Sequence, residues 1–191
     1  RPMQLIGSIL ADAAGIATLR RDIHAHPELC FEEQRTSDLI AKALTDWGIA
    51  IHRGMGTTGV VGIVKNGSSS RAVGLRADID ALPMTERNQF AHASKHAGKM
   101  HACGHDGHTA MLLAAAKHLS RHRDFDGTVV AQALRACVHV GTRGIHRQVR
   151  RRVLDLVGGL HCGRAPRGRG GRDSADRGGM AQTLSARRSV P

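Results

Sequence analysis

The chain has no tyrosine, one tryptophan and three phenylalanines in 191 residues, and no phenylalanine, tyrosine or tryptophan follows Phe125. Residues 131–191 therefore lack the large aromatic side chains on which nucleic-acid binders commonly stack bases. Glutamate is also missing from the second half, the last being Glu86, and lysine is absent after Lys117. No apolar run approaches the roughly 20 residues needed to cross a bilayer. The start Arg1-Pro2-Met3 lacks the apolar segment of a secretory signal, so no membrane partner is expected. A first residue other than Met leads us to expect a trimmed or fragmentary chain. Cysteine is scarce: Cys30, Cys103, Cys137 and Cys162 are scattered rather than set at framework spacing. That distribution suits a reducing compartment better than a disulfide scaffold, and the cytoplasm is the expected location.

Charge is unevenly placed. The formal net charge is +12, yet residues 1–130 hold 15 Lys and Arg against 13 Asp and Glu, whereas residues 131–191 hold 13 Arg against 3 Asp. The positive charge thus belongs to the tail. The tail also has ten glycines and the low-complexity run Gly163-Arg164-Ala165-Pro166-Arg167-Gly168-Arg169-Gly170-Gly171-Arg172. Within it, only Val153–Val157 and Val138–Val140 read as able to enter a core. So little apolar surface does not offset ordering entropy, and a boundary is expected at 130, with a poorly ordered Arg/Gly-rich tail over 131–191.

Residues 1–130 read as an α/β fold. Leu5, Ile6, Ile9, Leu10, Ala13, Ile16 and Leu19 recur at helical steps over 5–25, ending near His26-Pro27. A second helix is expected from Glu32 to Trp47, with Leu39, Ile40, Ala43 and Leu44 inward and Gly48 closing it. Short apolar runs at Ile49–Ile51, Val60–Val64 and Ala72–Leu75, divided by glycines and by Asn66-Gly67-Ser68-Ser69-Ser70, read as strands. A third helix over His108–His122 would bury Met111, Leu112, Ala115 and Leu119, and Gly127–Val130 begins another strand. Helices alternating with strands indicate an α/β sandwich with functional groups where a strand ends and a helix begins.

The segment with most chemistry is His101-Ala102-Cys103-Gly104-His105-Asp106-Gly107-His108, three imidazoles, a thiol and a carboxylate in eight residues. Thiolate and imidazole suit a zinc-like or manganese-like divalent cation, and Gly104 lets the backbone bend until both donors face one ion. Cys103 and His105 are the ligand candidates. Asp106 could orient an imidazole, and His101 or His108 could stand behind the ligands or simply be solvated. The bland alternative is a buried cysteine beside surface histidines. In Arg76-Ala77-Asp78-Ile79-Asp80-Ala81-Leu82-Pro83 the two carboxylates are two residues apart and share a side in extended backbone. One of them could hold a metal-site histidine, with Asp78 carried forward as the orienting candidate, or cap a turn before Pro83. His24-Ala25-His26-Pro27-Glu28 is a third polar cluster, which the helix dipole alone would explain.

Four ordered segments, Arg21–Glu28, Gly56-Thr57-Thr58-Gly59-Val60, Gly74–Pro83 and Met100–His108, together resemble the M20 metallopeptidase family. The resemblance is to its amidohydrolase branch of hippurate hydrolases and N-acyl-amino-acid deacylases. It implies the N-terminal part of a mixed-sheet α/β catalytic domain of the zinc-exopeptidase type, here incomplete. It also implies two divalent ions, Zn or Mn, with Cys103 and His105 among the ligands. The implied reaction is hydrolysis of the amide of a small N-acyl amino acid by metal-activated water, in relatives that form homo-oligomers through a lid domain.

The chain departs from this pattern after Val130. Relatives continue with a phenylalanine-glutamine-proline-alanine-glutamate-glutamate segment that supplies a general base and a ligand; here Ala131-Gln132-Ala133-Leu134-Arg135-Ala136-Cys137 follows. An aromatic-free, lysine-free, Arg- and Gly-rich tail is what an out-of-frame reading of a GC-rich gene gives, so a frame change just after Val130 is expected. Gly159-Leu160-His161 echoes the family's glycine-leucine-histidine, which makes His161 a further ligand candidate by resemblance. Impaired amide hydrolysis is the leading expectation. An inactive fragment and a basic nucleic-acid-associating protein are the alternatives, the latter drawing on the thirteen tail arginines.

Overall fold

In a computed structural model, residues 6–135 are described. They form helices α1 (Gly7–Ala25), α2 (Gln34–Asp46) and α3 (His105–Arg121), and strands β1 (Ala50–Met55), β2 (Gly59–Asn66), β3 (Ala72–Asp78) and β4 (Gly127–Leu134). The sheet order is β1-β2-β4-β3. β1 and β2 make an antiparallel hairpin, β2 pairs β4 antiparallel, and β3 pairs β4 in parallel. The α/β class and mixed sheet expected from the sequence are therefore present. No helix among the described residues is long and apolar enough to cross a membrane.

Strand alternation sorts the apolar side chains onto two faces. Val60, Val64, Ala77, Val129, Ala131 and Ala133 join Ile40, Leu44, Leu112 and Leu113 from α2 and α3 in the main core. Val61, Val130, Met55 and Leu134 form a second cluster. β4 continues to Leu134, four residues past the expected boundary at 130, because Ala131, Ala133 and Leu134 keep the apolar character the strand needs. Gly59, opposite Met55 in the hairpin, has no room for a side chain: a Cβ there would run into the Met55 carbonyl and lie 2.5 Å from Leu134.

The helices show where periodicity misled. Ile16, Leu19 and Ile23 of α1 reach the core, but Ile6 and Leu10 are exposed. The outer half of α1 instead leans on α3 through polar pairs, Ser8 with His118 at 3.1 Å and Asp12 with Lys117 at 2.5 Å. α3 begins at His105 rather than His108, and Leu113 and Ala116 take the core positions expected of Met111 and Ala115; Met111 is exposed. α2 buries Ile40, Ala43 and Leu44 as expected and ends at Asp46, with Trp47 as its C-cap and Gly48 beyond at φ 71°. Its N-terminus is satisfied from outside the helix. Glu28 accepts from the Arg35 N–H at 3.0 Å and from the Thr36 N–H and hydroxyl at 2.8 Å each, doing the work of an N-cap side chain.

Candidate metal centre

Gly104 adopts φ 82°, a left-handed conformation that glycine takes without a Cβ penalty, and α3 starts at the next residue. This turn places His105 and Asp106, both buried, in the first helical turn, with Cys103 on the approach. The His105 imidazole lies at the end of β3: its Nδ1 is 2.8 Å from the Asp80 carbonyl oxygen and 3.3 Å from Asp80 Oδ1. An N–H at Nδ1 donating to a carbonyl leaves Nε2 as the lone-pair nitrogen, and Nε2 makes no hydrogen bond among the described residues. Cys103 is a free, exposed thiol.

The orienting contact to His105 thus comes from Asp80, the second carboxylate of the pair, not from Asp78. The Asp78 carboxylate is taken by Arg76, whose Nε and Nη2 lie 3.2 and 3.1 Å from Oδ1, while the Asp78 carbonyl accepts from Thr109 at 3.2 Å. β3 ends at Asp78, so the extended spacing that would keep both carboxylates on one side does not continue to Asp80. His108 is exposed and touches His105 only ring to ring, with centroids 5.6 Å apart. His161, the ligand candidate in the tail, lies outside the described residues, as does the rest of 136–191.

Behind His105 lies a buried polar network in which Asp106, expected to orient an imidazole, meets His24, which sequence reasoning left to a helix dipole. Asp106 Oδ2 accepts from Arg20 Nε at 2.8 Å and from His24 Nδ1 at 2.9 Å. The other ring nitrogen of His24 faces Glu86 Oε1 at 3.2 Å. Burial pushes the Asp106 carboxyl up, but the His24 hydrogen bond and the charges of Arg20 and His101 outweigh it and hold it below the usual carboxylate range. Glu86 is likewise held low against burial, by Asn88, the Ser94 N–H and His24. Next to this network His101 is 4% exposed, neither ring nitrogen has a partner among the described residues, and burial pushes its imidazole down to about 4. The repeated polar text His24-Ala25-His26 was the available signal for this network; nothing in the sequence singled out Glu86.

The donors fit a divalent cation in kind: a free thiol, and an imidazole whose outer nitrogen is fixed by the tautomer. They do not complete a site, since among the described residues no three His, Cys, Asp or Glu side chains are grouped to hold a metal. Cys103 and His105 are two candidate donors only.

Residues 74–137 match the sequence model of Peptidase family M20/M25/M40. The chain is 45% identical over 127 residues to hippurate hydrolase of Campylobacter jejuni, covering 66% of this chain and 33% of that protein. It is 45% identical over 147 residues to IAA-amino acid hydrolase ILR1-like 5 of Arabidopsis thaliana, covering 75% and 33%. With N-acyl-L-amino acid amidohydrolase of Geobacillus stearothermophilus the identity is 48% over 105 residues, covering 55% and 28%. Among solved structures, the Bacillus subtilis YXEP protein, described as a dinuclear metal binding peptidase from the M20 family, matches with TM-score 0.62 and 39% identity. That match covers 65% of this chain and 35% of that one. A protein from methicillin-resistant Staphylococcus aureus described as an aminohydrolase matches with TM-score 0.71 and 33% identity, over 78% and 40%. The chain spans about a third of the length of the curated relatives it matches.

Proposed function

Since residues 74–137 carry a segment of a peptidase family M20 domain, we propose that this chain is the metal-gripping N-terminal part of an amide hydrolase acting on small N-acyl amino acids such as hippurate. The observation that supports this most is His105, seated at the strand end with Nδ1 on the Asp80 carbonyl and Nε2 open. Cys103 and His105 would hold the cation, with His161 a third candidate by resemblance. Thiolate and imidazole together suit zinc or manganese. When bound, such an ion polarises an amide carbonyl and lowers the pKa of water. The contribution of this chain is to hold the His105 tautomer, to present a free thiol and to bury the carboxylates behind them. A free Cys103 and Cys30 fit a reducing compartment such as the cytoplasm.

Turnover by this chain is proposed to be negligible. No glutamate follows Glu86, so the sequence supplies no glutamate after β4 of the kind the resemblance gives as the base that takes the proton from water. The test is a paired measurement on the full chain. Zinc titration should show binding that Cys103→Ala and His105→Ala each weaken at least tenfold, while hippurate hydrolysis stays at the buffer rate. Zinc binding unaffected by both substitutions overturns the ligand assignment, and hippurate turnover well above background overturns the impairment.

A further inference from the structure

The cluster behind His105 has a geometry that the two ligands alone do not require. Arg20 and His24 are one turn apart on α1, so they present to the same neighbour, and that neighbour is Asp106, the residue following His105. The Asp106 side chain is 1% exposed and that of His24 5%. A carboxylate oxygen accepts, so His24 donates from Nδ1 to Asp106 and from Nε2 to Glu86, whose side chain is 3% exposed. Glu86 lies on the long connection between β3 and α3, and its Oε2 accepts from the Ser94 N–H at 2.5 Å. His24 therefore joins three parts of the chain: α1, the first turn of α3 and the connection that leads to Cys103. The rings of Phe90, His92 and His101 stand around it at centroid distances of 5.6, 5.6 and 6.3 Å.

We propose that His24 is a positioning residue for the Cys103–His105 pair, a two-ended clamp that fixes the start of α3 through Asp106 and the preceding connection through Glu86. This rests on the reading of Cys103 and His105 as ligands given above. His24 touches neither donor, and it acts by holding the backbone that carries them. Removing it leaves two buried carboxylates each short of a donor, which costs more than the loss of one exposed contact would. The strain falls on the turn at Gly104, where the direction of both donors is set.

The experiment uses the full chain with Co(II) as the probe, because a cobalt–thiolate pair reports affinity and geometry in one spectrum. His24→Leu should weaken Co(II) binding about 10- to 100-fold, the range seen when groups behind a metal ligand are lost, and should alter the d–d bands. His24→Asn puts an amide N–H near the place of Nδ1 and keeps only the Asp106 end, and His24→Gln reaches the Glu86 end only; each should recover part of the lost affinity and neither all of it. Thermal unfolding of the metal-free variants separates loss of fold from loss of position; if His24→Leu does not fold, the Asn and Gln pair carries the comparison. Parent-like affinity and spectrum in folded His24→Leu, or in folded His24→Asn or His24→Gln, overturn the clamp. If the parent chain itself gives no cobalt–thiolate band, the ligand assignment fails first and takes this inference with it.

Discussion

Glu33 sits fully buried just before α2, and replacing it by glutamine should stabilise the chain in a pH-dependent way. Its Oε2 accepts from the Thr58 hydroxyl at 2.7 Å, while Oε1 meets no donor among the described residues. Burial pushes the carboxyl up, the Thr58 bond pulls it part of the way back, and the nearby charge of Asp80 adds to the rise. A group whose folded pKa is raised binds its proton more tightly in the folded state. Stability therefore falls as pH climbs above the unfolded glutamate value near 4.3, and it levels off once the folded carboxyl has ionised. Desolvating an ion costs several kcal/mol, and one hydrogen bond to a charged acceptor returns about 1.5–3 kcal/mol, leaving a penalty of about 1–3 kcal/mol at high pH. Glutamine keeps the acceptor for Thr58 and never ionises. Urea unfolding of the parent and Glu33→Gln between pH 4 and pH 8 should show a difference within about 1 kcal/mol at the acid end, growing by about 1–3 kcal/mol in favour of glutamine at the alkaline end. Taking the difference cancels other titrating groups, so a flat profile, or one that moves towards the parent with rising pH, refutes the reasoning.

Two further outcomes follow from contacts described above. Glu28→Ala removes the acceptor for the Arg35 and Thr36 backbone N–H groups and should cost about 1 kcal/mol, within the range for a lost helix cap, as read by urea unfolding. Asp80→Asn should weaken zinc or Co(II) binding by no more than about tenfold. The closer contact to His105 comes from the Asp80 carbonyl at 2.8 Å and survives the change, as a metal titration would show.

Local signals carried the elements further than they carried the contacts between them. Periodicity and glycine spacing marked the three helices and four strands of the described residues, and resemblance in four short segments pointed to the Cys103–His105 turn. What they missed depended on packing at long range. The stripe on α1 could not show that Ile6 and Leu10 would stay outside while Ser8 and Asp12 met α3. Asp78 and Asp80 were placed on one side by a period-two spacing that holds only inside a strand, and β3 stops at Asp78. His24 and Glu86 are 62 residues apart, and their contact follows from where α1 lies against the connection, which no window of sequence contains. Glu28 was noticed as part of a polar cluster, but its service to α2 needed the turn between them to be seen.

Among the described residues β4 is the last strand, and it lies between β2 and β3 in the sheet. During vectorial synthesis, then, the hairpin of β1 and β2 and the strand β3 must wait as separate pieces of this sheet until residue 134 has left the ribosome, because β4 is the strand that pairs with both β2 and β3. Such late closure over long sequence distances makes assembly slow and exposes unpaired edges to other nascent chains. It also gives the stretch 127–134 a keystone character: a change of reading within it spares the sheet only if the new residues remain small and apolar on both faces, as Ala131, Ala133 and Leu134 do.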